Sequence, residues 1–594
     1  MKNRVKVSFG GVFWPSLVAS LVILFIVGIL ISLIIGGLIG SKPVYSTGSD
    51  AVLHMKLKGP IKEVPDSELD PMTFNIKSSN GLSEILYGLE KAKNDDNVKG
   101  LFMEIGTPQC GYAKAFEIRK AIQSFSESGK FVVAYLQGEA ITLKQYFIAS
   151  AAKEVYGFPT SMFEFMGMGA ELMFYKGLFD KLDLEMQVIR GSDNHFKSAV
   201  EPYFLEKMSD SSRLQVTRYL TSIWEDVKLE ISNVRGVSVE ELDSIADNAK
   251  IRRISDAVTY GLIDEVKYRD EVISIIQEKV EAEKTDDINF KGFEKYASKK
   301  FGNNNKILKN KDQNIAVILS EGGVVKSGDG LSSDKITKHF KNAREDDDIK
   351  AVVFRINSPG GSALASDEIW REVVLTKEKK PVYVSMGDVA ASGGYYIAAP
   401  ANKIFAETTT ITGSIGVFGV IPYTGAMLEN KLGLSFDRVE TNKRAVLSTN
   451  RKLNKEDMAI VQEEIDFIYD DFLQKVADGR NLSKNDVHEV ARGRVWTGKD
   501  AKRIGLVDDI GTITDVIHFA ATENDIDSAD IALKYFPEIK KEPWMEIIEA
   551  LEGEKDSKTE NKISQELVEY YNKLRKIDSY IGIQARLPYE IEID

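Results

Sequence analysis

Cysteine is nearly absent from this chain of 594 residues, with Cys110 its single representative. No intramolecular disulfide and no cysteine-built metal site can form, so stability rests on packing, and the missing disulfides say little about compartment. Histidine is almost as scarce: His54, His195, His339, His488 and His518 are the full set, and none sits in a recognisable catalytic setting. A Ser-His-Asp triad scattered along the sequence is the one form of histidine catalysis left open. A basic surface is lacking as well. Lys and Arg number 77 against 90 Asp and Glu, giving a net charge of −13 and a pI near 5.3. Phosphate binding needs the opposite balance, so a nucleic-acid partner is excluded.

Charge of either sign is missing between Lys6 and Lys42, and Val12 to Ile39 is almost wholly apolar. A helix that spans a bilayer needs about 20 such residues. The run Leu21-Val22-Ile23-Leu24-Phe25-Ile26-Val27-Gly28-Ile29-Leu30 has no polar face to offer water, so it cannot be a surface helix. A cleaved secretory signal is the alternative. The apolar region is too long for one, and Gly36 to Ser41 gives no small-residue cleavage site, so an uncleaved anchor over residues 1–45 is expected. Lys2, Arg4 and Lys6 precede the span and favour the cytoplasmic side, which sends the remaining chain to the far side, the cell envelope of a bacterium.

What is present is a globular composition, 43% hydrophobic and 28% charged, with more than one domain's worth of core. The chain also resembles itself. Ala92-Lys93-Asn94-Asp95-Asp96-Asn97-Val98-Lys99 returns as Ala343-Arg344-Glu345-Asp346-Asp347-Asp348-Ile349-Lys350. Tyr146-Phe147-Ile148-Ala149 returns as Tyr395-Tyr396-Ile397-Ala398, and Gly261-Leu262-Ile263-Asp264 as Gly505-Leu506-Val507-Asp508. Three matches in order imply a duplicated domain, with copies over 46–283 and 315–540. Residues 284–314, rich in Lys, Asn, Asp and Gly without a sustained apolar period, read as a linker. Residues 541–594 read as a charged, partly helical extension, with a helix around Ile563 to Ile577. In the second copy, Ile315–Leu319, Ala351–Phe354 and Pro381–Val384 read as buried strands with helical stretches such as Asp367–Thr376 between them, which implies α/β units around a mostly parallel sheet.

Turns that follow buried strands are where such proteins place their sites. Asn357-Ser358-Pro359-Gly360-Gly361-Ser362 follows one strand, and its glycines let backbone N–H groups approach a ligand, as an oxyanion hole requires. Gly-rich turns usually only turn, so this motif is weak alone. Gly387 to Tyr396 follows the next strand and sets Ser392 among Ala and Gly at the start of a helix. Read by itself, Ser392 is an ordinary helix N-cap. The comparison of copies changes the balance: the first copy has Leu143 where the second has Ser392, and Thr107-Pro108-Gln109-Cys110 in the region of Ser358-Pro359-Gly360-Gly361. One copy alone keeps a nucleophile.

A serine hydroxyl needs a base, and a buried lysine that has lost its proton can serve. Lys197 and Lys443 follow the corresponding turns of the two copies at similar spacing, which does not separate them. Lys443 stands in a polar run with Asn442 and Arg444, whereas Lys197 lies between Phe196 and Ser198-Ala199-Val200, which favours Lys197 modestly.

In order along the chain, Phe196-Lys197-Ser198-Ala199-Val200-Glu201-Pro202, Ser358-Pro359-Gly360-Gly361-Ser362, Ala390-Ala391-Ser392-Gly393-Gly394-Tyr395, Thr412 to Gly419 and Val495-Trp496-Thr497-Gly498 resemble the signatures of the long form of signal peptide peptidase A, the protease IV family. The resemblance implies tandem α/β domains of the Clp-protease and crotonase type. It implies a dyad of Ser392 as nucleophile and Lys197 as base, one from each copy, with Lys443 excluded. Gly360 or Gly361, together with Gly393, are the implied oxyanion donors, and Ser414 is a candidate to orient the lysine, with a plain turn hydroxyl as its alternative role. It further implies a homotetramer anchored in the cytoplasmic membrane and open to the periplasmic side, which cuts remnant signal peptides and needs no metal or cofactor. The chain beyond about Pro537 matches none of the family's motifs. From other classes, a crotonase-like acyl-CoA enzyme also uses a Gly-Gly oxyanion hole, and an inactive membrane scaffold remains a second alternative.

Overall fold

Strands buried on both faces lose the apolar-polar alternation and read as continuous apolar runs. Ile315-Ala316-Val317-Ile318-Leu319 is such a run, buried throughout, and it lies inside one of two parallel sheets in the computed structural model. The structure describes residues 47–65, 67–69, 76–78, 80–304, 314–527, 531–537 and 582–586. The expected anchor at 1–45 and the expected helix around 563–577 lie outside the described residues.

The first copy runs β1 (Ala51–Lys62), α1 (Leu82–Lys93), β2 (Val98–Gln109), α2 (Tyr112–Glu127), β3 (Phe131–Leu136), α3 (Leu143–Ala149), β4 (Glu154–Gly157), β5 (Glu185–Arg190), α4 (Asp210–Arg235) and β6 (Glu265–Val266). It ends in β7 (Phe290–Gly292) and α5 (Phe293–Asn304). Six of these strands form a parallel ladder in the order β6-β4-β3-β2-β1-β7. The linker expected at 284–314 is therefore corrected over 290–304, because β7 extends the first sheet and α5 packs on α1, while 305–313 lie outside the described residues. Phe293, Tyr296, Ala297 and Phe301 are all buried and share one helical face, a period hidden by the Lys and Asn residues around them. Gly88 of α1 makes room for the packing, since a Cβ there would stand 2.5 Å from Cβ of Ala297.

The second copy runs β8 (Asn314–Glu321), β9 (Val324–Val325), β10 (Leu331–Ser332), α6 (Ser333–Glu345), β11 (Ile349–Ser358), β12 (Gly360–Ser362), α7 (Ala363–Lys377), β13 (Val382–Ala391), α8 (Gly393–Ala398), β14 (Lys403–Ala406) and β15 (Ile411–Gly413). There follow β16 (Phe418–Tyr423), α9 (Lys455–Arg480), β17 (Val495–Thr497), β18 (Asp509–Ile510), α10 (Ile513–Glu523) and β19 (Ala532–Phe536), and beyond the second copy, within 541–594, β20 (Gly582–Arg586). Its ladder, β19-β8-β11-β13-β14-β18, is again all parallel and repeats the first copy strand for strand.

The recurring sequence motifs make matching contacts. Tyr146 donates its hydroxyl to Leu262 O at 2.7 Å and Tyr395 donates to Leu506 O at 2.8 Å. The carboxylates of Asp264 and Asp508 accept from the backbone of β4 and β14, each at 2.7 Å. These residues recur because each satisfies buried polar groups at the same joint of its copy.

A third sheet, β5-β16-β20-β12-β9-β10, is built from both copies and carries the site. β5 of the first copy pairs antiparallel with β16 of the second over Glu185–Arg190 and Phe418–Tyr423. Between the copies lies a layer of buried charge. Arg355 of β11 donates to Glu63 at 3.0 Å and to Glu117 of α2 at 2.5 Å, and all three side chains are wholly buried. Lys114 donates to Ile61 O and to Glu321, both at 2.8 Å. Asp388 of β13 accepts from the N–H groups of Gly111 and Lys114, each at 2.8 Å, and so caps α2 across the boundary. Burial works against the charge of Glu63, but Arg355 and Lys114 outweigh it and hold its carboxyl below the usual range. Burial, with Glu63 and Glu407 nearby, pushes Glu117 up to about 7 despite Arg355.

Candidate active site

Ser392 stands where β13 ends and α8 begins, at φ 56° and ψ −117°. That conformation is strained for any residue but glycine and belongs to sharp strand-to-helix turns that present a side chain. The turn is held by Ser392 N–H donating to Gly413 O at 2.8 Å and by Tyr396 N–H donating to Ser392 O at 2.8 Å. The hydroxyl makes no cap bond to the helix it precedes. The N-cap role that Ser392 has on local sequence alone is thus absent, and its hydroxyl turns to a residue of the other copy.

That residue is Lys197. The antiparallel pairing of β5 with β16 continues into Gly191 N–H donating to Val417 O at 3.1 Å, which brings the loop after β5 against the second copy. Phe196 N–H donates to Arg492 O at 3.0 Å and Lys197 N–H donates to Asn194 O at 3.1 Å. Gln215 of α4 grips the loop from the other side, donating to Phe196 O at 3.0 Å and to Ser198 Oγ at 2.7 Å, while its own oxygen accepts from Val495 N–H. Gly493, at φ +78°, lies against the lysine backbone, where a Cβ would stand 2.5 Å from Cβ of Lys197.

With its backbone so fixed, the Lys197 amine reaches Ser392 Oγ at 2.8 Å, Ser414 O at 2.8 Å and Ser414 Oγ at 2.9 Å. Lys197, Ser392 and Ser414 are each 0% exposed. Among the described residues no carboxylate pairs with the amine, and the ring of Phe418 lies 6.0 Å away. Desolvation therefore acts unopposed and pushes the Lys197 pKa well below its usual value. A neutral amine held by a serine hydroxyl and a carbonyl has a lone pair free to accept a proton.

The glycines of the Ser358–Gly361 turn are brought beside this pair. Gly360 adopts φ +93°, and its N–H donates to Ser358 Oγ at 3.2 Å. That N–H is already engaged. A Cβ on Gly361 would stand 2.2 Å from Val324 O, and one on Gly394 would stand 2.7 Å from Ser358 O, so both turns press together with no space for a side chain. Gly393 is the first residue of α8, where an amide has no carbonyl one turn back.

The other sequence candidates fall elsewhere. Lys443 is 67% exposed at its side chain and pairs with Glu456 at 2.6 Å. Leu143 begins α3, which Thr142 caps in a closed capping box with Gln145. Cys110, in the first copy's corresponding turn, is half-buried, and desolvation, with Asp388 nearby, pushes its thiol up to about 12. Asn194, Gln215 and Gly493 were not singled out by sequence. Gly493 had a signal, since it lies two positions before the Val495-Trp496-Thr497-Gly498 motif.

A duplicated α/β scaffold that presents a serine hydroxyl to a buried lysine amine defines a serine hydrolase. Comparison with known proteins narrows the class. The profile of peptidase family S49 matches residues 124–283 and again residues 375–527. A chloroplastic serine protease SPPA of Arabidopsis thaliana is 32% identical over 487 residues, covering 80% of this chain and 69% of that protein. Protease 4 of Haemophilus influenzae is 34% identical over 455 residues, covering 74% of this chain and 72% of that protein. A putative signal peptide peptidase SppA of Enterococcus faecium is 37% identical over 195 residues, 32% of this chain and 56% of that protein. The chain belongs to peptidase family S49 and is a serine peptidase. The acyl-CoA reading is thereby displaced.

Proposed function

We propose that this peptidase is an endopeptidase anchored in a bacterial cytoplasmic membrane by its N-terminal apolar segment, with both copies on the periplasmic side. Its substrates on this reading are signal peptides left after release, and other apolar peptides. Ser392 is the nucleophile and Lys197 the base. The observation that carries the reading is the 2.8 Å separation of Lys197 Nζ and Ser392 Oγ, with both residues fully buried.

The chemistry follows from those groups. The neutral amine takes the hydroxyl proton as Ser392 Oγ attacks the scissile carbonyl. The same proton, returned from the ammonium, leaves with the amine product, and water then hydrolyses the acyl-enzyme. Ser414 holds the lysine in line through its hydroxyl and carbonyl. Of the three glycines expected as oxyanion donors, Gly360 N–H is committed to Ser358 and Gly361 pairs with Val324 and Ala585 in the third sheet, so Gly393 at the start of α8 is the least engaged. Loss of one such donor costs about 2.7–4 kcal/mol of barrier stabilisation. The Clp-protease and crotonase form of the α/β scaffold and a homotetrameric assembly are part of the same proposal. Exposed apolar side chains at Met166, Met173, Leu178 and Leu434 offer surface for such an assembly.

The test is digestion of an apolar peptide by the full chain in detergent, wild type against Ser392→Ala, with fluorophosphonate labelling in parallel. Cleavage and labelling are expected to vanish together in the variant, with its melting curve unchanged. Equal rates from both chains would leave only a scaffold.

A further inference from the structure

Lys197 owes its place to a short segment of the second copy, and that segment is itself strained. Arg492, Gly493 and Arg494 pass along the lysine in succession. Arg492 O accepts from Phe196 N–H at 3.0 Å, Gly493 lies against Cβ and the backbone nitrogen of Lys197, and Arg494 O accepts from Ser414 N–H at 2.6 Å. Three consecutive residues thus fix the residue before the lysine, the lysine itself, and the serine that bonds its amine. Arg492 adopts φ +55°, the left-handed region that a residue with a side chain enters only at a cost. Such a conformation persists where neighbouring groups over-determine it.

The neighbour that does so at Arg492 is Tyr469 of α9, which is 6% exposed. Its hydroxyl oxygen accepts from Arg492 N–H at 3.2 Å, and the same hydroxyl shares a 3.2 Å hydrogen bond with His488 Nδ1. Burial pushes this hydroxyl up to about 12, so it keeps its proton. The ring lies beside Gly191 at the start of the lysine loop, where a Cβ would stand 3.6 Å from Tyr469 Cδ1. Earlier on α9, Asp466 accepts from Ser192 N–H at 2.8 Å and from Ser192 Oγ at 2.6 Å, and Gln462 donates to Arg190 O at 2.8 Å. Positions 462, 466 and 469 are four and three apart, the spacing that sets side chains on one helical face. That face holds the loop where it begins and, through Arg492, the segment that cradles it where it ends. Further along α9, Asp471 and Lys475 meet the Tyr396 hydroxyl at 2.9 and 2.7 Å, and Tyr396 N–H donates to Ser392 O at 2.8 Å. One helix therefore touches the supports of both Lys197 and Ser392.

We propose that Tyr469 and Asp466 are positioning residues for Lys197: Tyr469 locks Arg492 in its strained conformation, Asp466 pins the start of the loop, and together they keep the amine in line with Ser392. The proposal rests on the Ser392–Lys197 reading above. Without the Tyr469 hydroxyl, Arg492 is free to leave the left-handed region, and Gly493 and the lysine move with it. A shift of about 1 Å at a reacting group costs on the order of 100-fold in rate. The effect passes through the backbone to the amine, so it should fall on kcat and spare KM.

Full-length chains in detergent decide it: wild type, Tyr469→Phe, Asp466→Ala, Asp466→Asn and, as a control, Tyr383→Phe. Tyr469→Phe deletes one oxygen and keeps the ring. With a fluorogenic apolar peptide its kcat is expected to fall by about tenfold to 100-fold at unchanged KM, with fluorophosphonate labelling of Ser392 slowed in step. The rise of kcat/KM with pH is expected to move to higher pH, because a displaced amine regains solvent and holds its proton more firmly. Asp466→Ala is expected to lose kcat severalfold, and Asp466→Asn, which keeps an acceptor for Ser192 N–H, to recover most of it. Tyr383→Phe removes a hydroxyl at the far end of β13 from Ser392 and is expected to match wild type. Wild-type kcat with an unmoved pH profile in folded Tyr469→Phe overturns the positioning role while the peptidase stands, whatever happens to its melting temperature. Should that chain not fold, the same result in Asp466→Ala overturns it. Absence of both cleavage and labelling in wild type overturns the dyad, and the positioning role with it.

Discussion

Gly493 and Lys197 are packed so closely that a methyl group on the glycine would stand 2.5 Å from Cβ of the lysine and 2.6 Å from its backbone nitrogen. Gly493 also sits at φ +78°, where an L side chain is strained whatever the space. The expected result of Gly493→Ala is a displaced Lys197. A shift of about 1 Å at a reacting group costs on the order of 100-fold in rate. The loss should appear in kcat with little change in KM, and an unchanged kcat would show that the loop absorbs the methyl group elsewhere.

Lys197→Met should lower kcat by about 100-fold to 10,000-fold, the range that positioned proton transfer supplies. Lys443→Ala should leave it unchanged, because that amine is at the surface beside Glu456. Steady-state kinetics on one peptide separates the two, and the reverse pattern would reassign the base.

The rate should rise with pH. Desolvation lowers the Lys197 pKa in the folded chain, and only the neutral amine accepts the serine proton, so kcat/KM is expected to climb as the ammonium deprotonates. Stability has the same sign. Between the lowered folded value and the ordinary unfolded one, the unfolded chain binds more protons, and folding is favoured as pH increases. Lys197→Met should remove that part of the slope, which urea melts at several pH values would read.

The charge between the copies gives a stability prediction. Arg355→Met would leave Glu63 and Glu117 buried without their shared cation. Breaking a buried pair from one side costs about 3–5 kcal/mol. Chemical denaturation should show a loss of that size, and adding Glu63→Gln and Glu117→Gln should recover part of it. No recovery would mean that Arg355 acts through its bonds to Ser385 and Met386 instead.

Ser392 was legible because duplication offers an internal control, with Leu143 standing at its place in the first copy. Its pairing with Lys197 was implied by the family resemblance, the residues alone favouring Lys197 over Lys443 only modestly. The parallel strands were legible from their unbroken apolar runs, although β13 continues past Ser385 to Ala391. Ser414, expected either to orient the lysine or to serve a turn, bonds the amine through two atoms. The buried charges were not legible, since a charged residue reads as surface by default. Arg355, set directly after Ala351-Val352-Val353-Phe354, was the exception that could have been noticed. The segment at 290–304 was misread because its aromatic face is thinly spaced among lysines. Nothing in Gly582-Ile583-Gln584-Ala585-Arg586 announces a strand, for its pairing is set by two edges far away in the chain.

Lys197 and Ser392 are separated by 195 positions, and the lysine is the earlier of the two. On the proposed reading, a polypeptide still emerging from the ribosome carries an amine with no hydroxyl to activate, and it stays inert until at least residue 392 of 594 has been made. Synthesis itself thus acts as the safety catch, and no separately removed propeptide is needed to keep the unfinished molecule from cutting its neighbours.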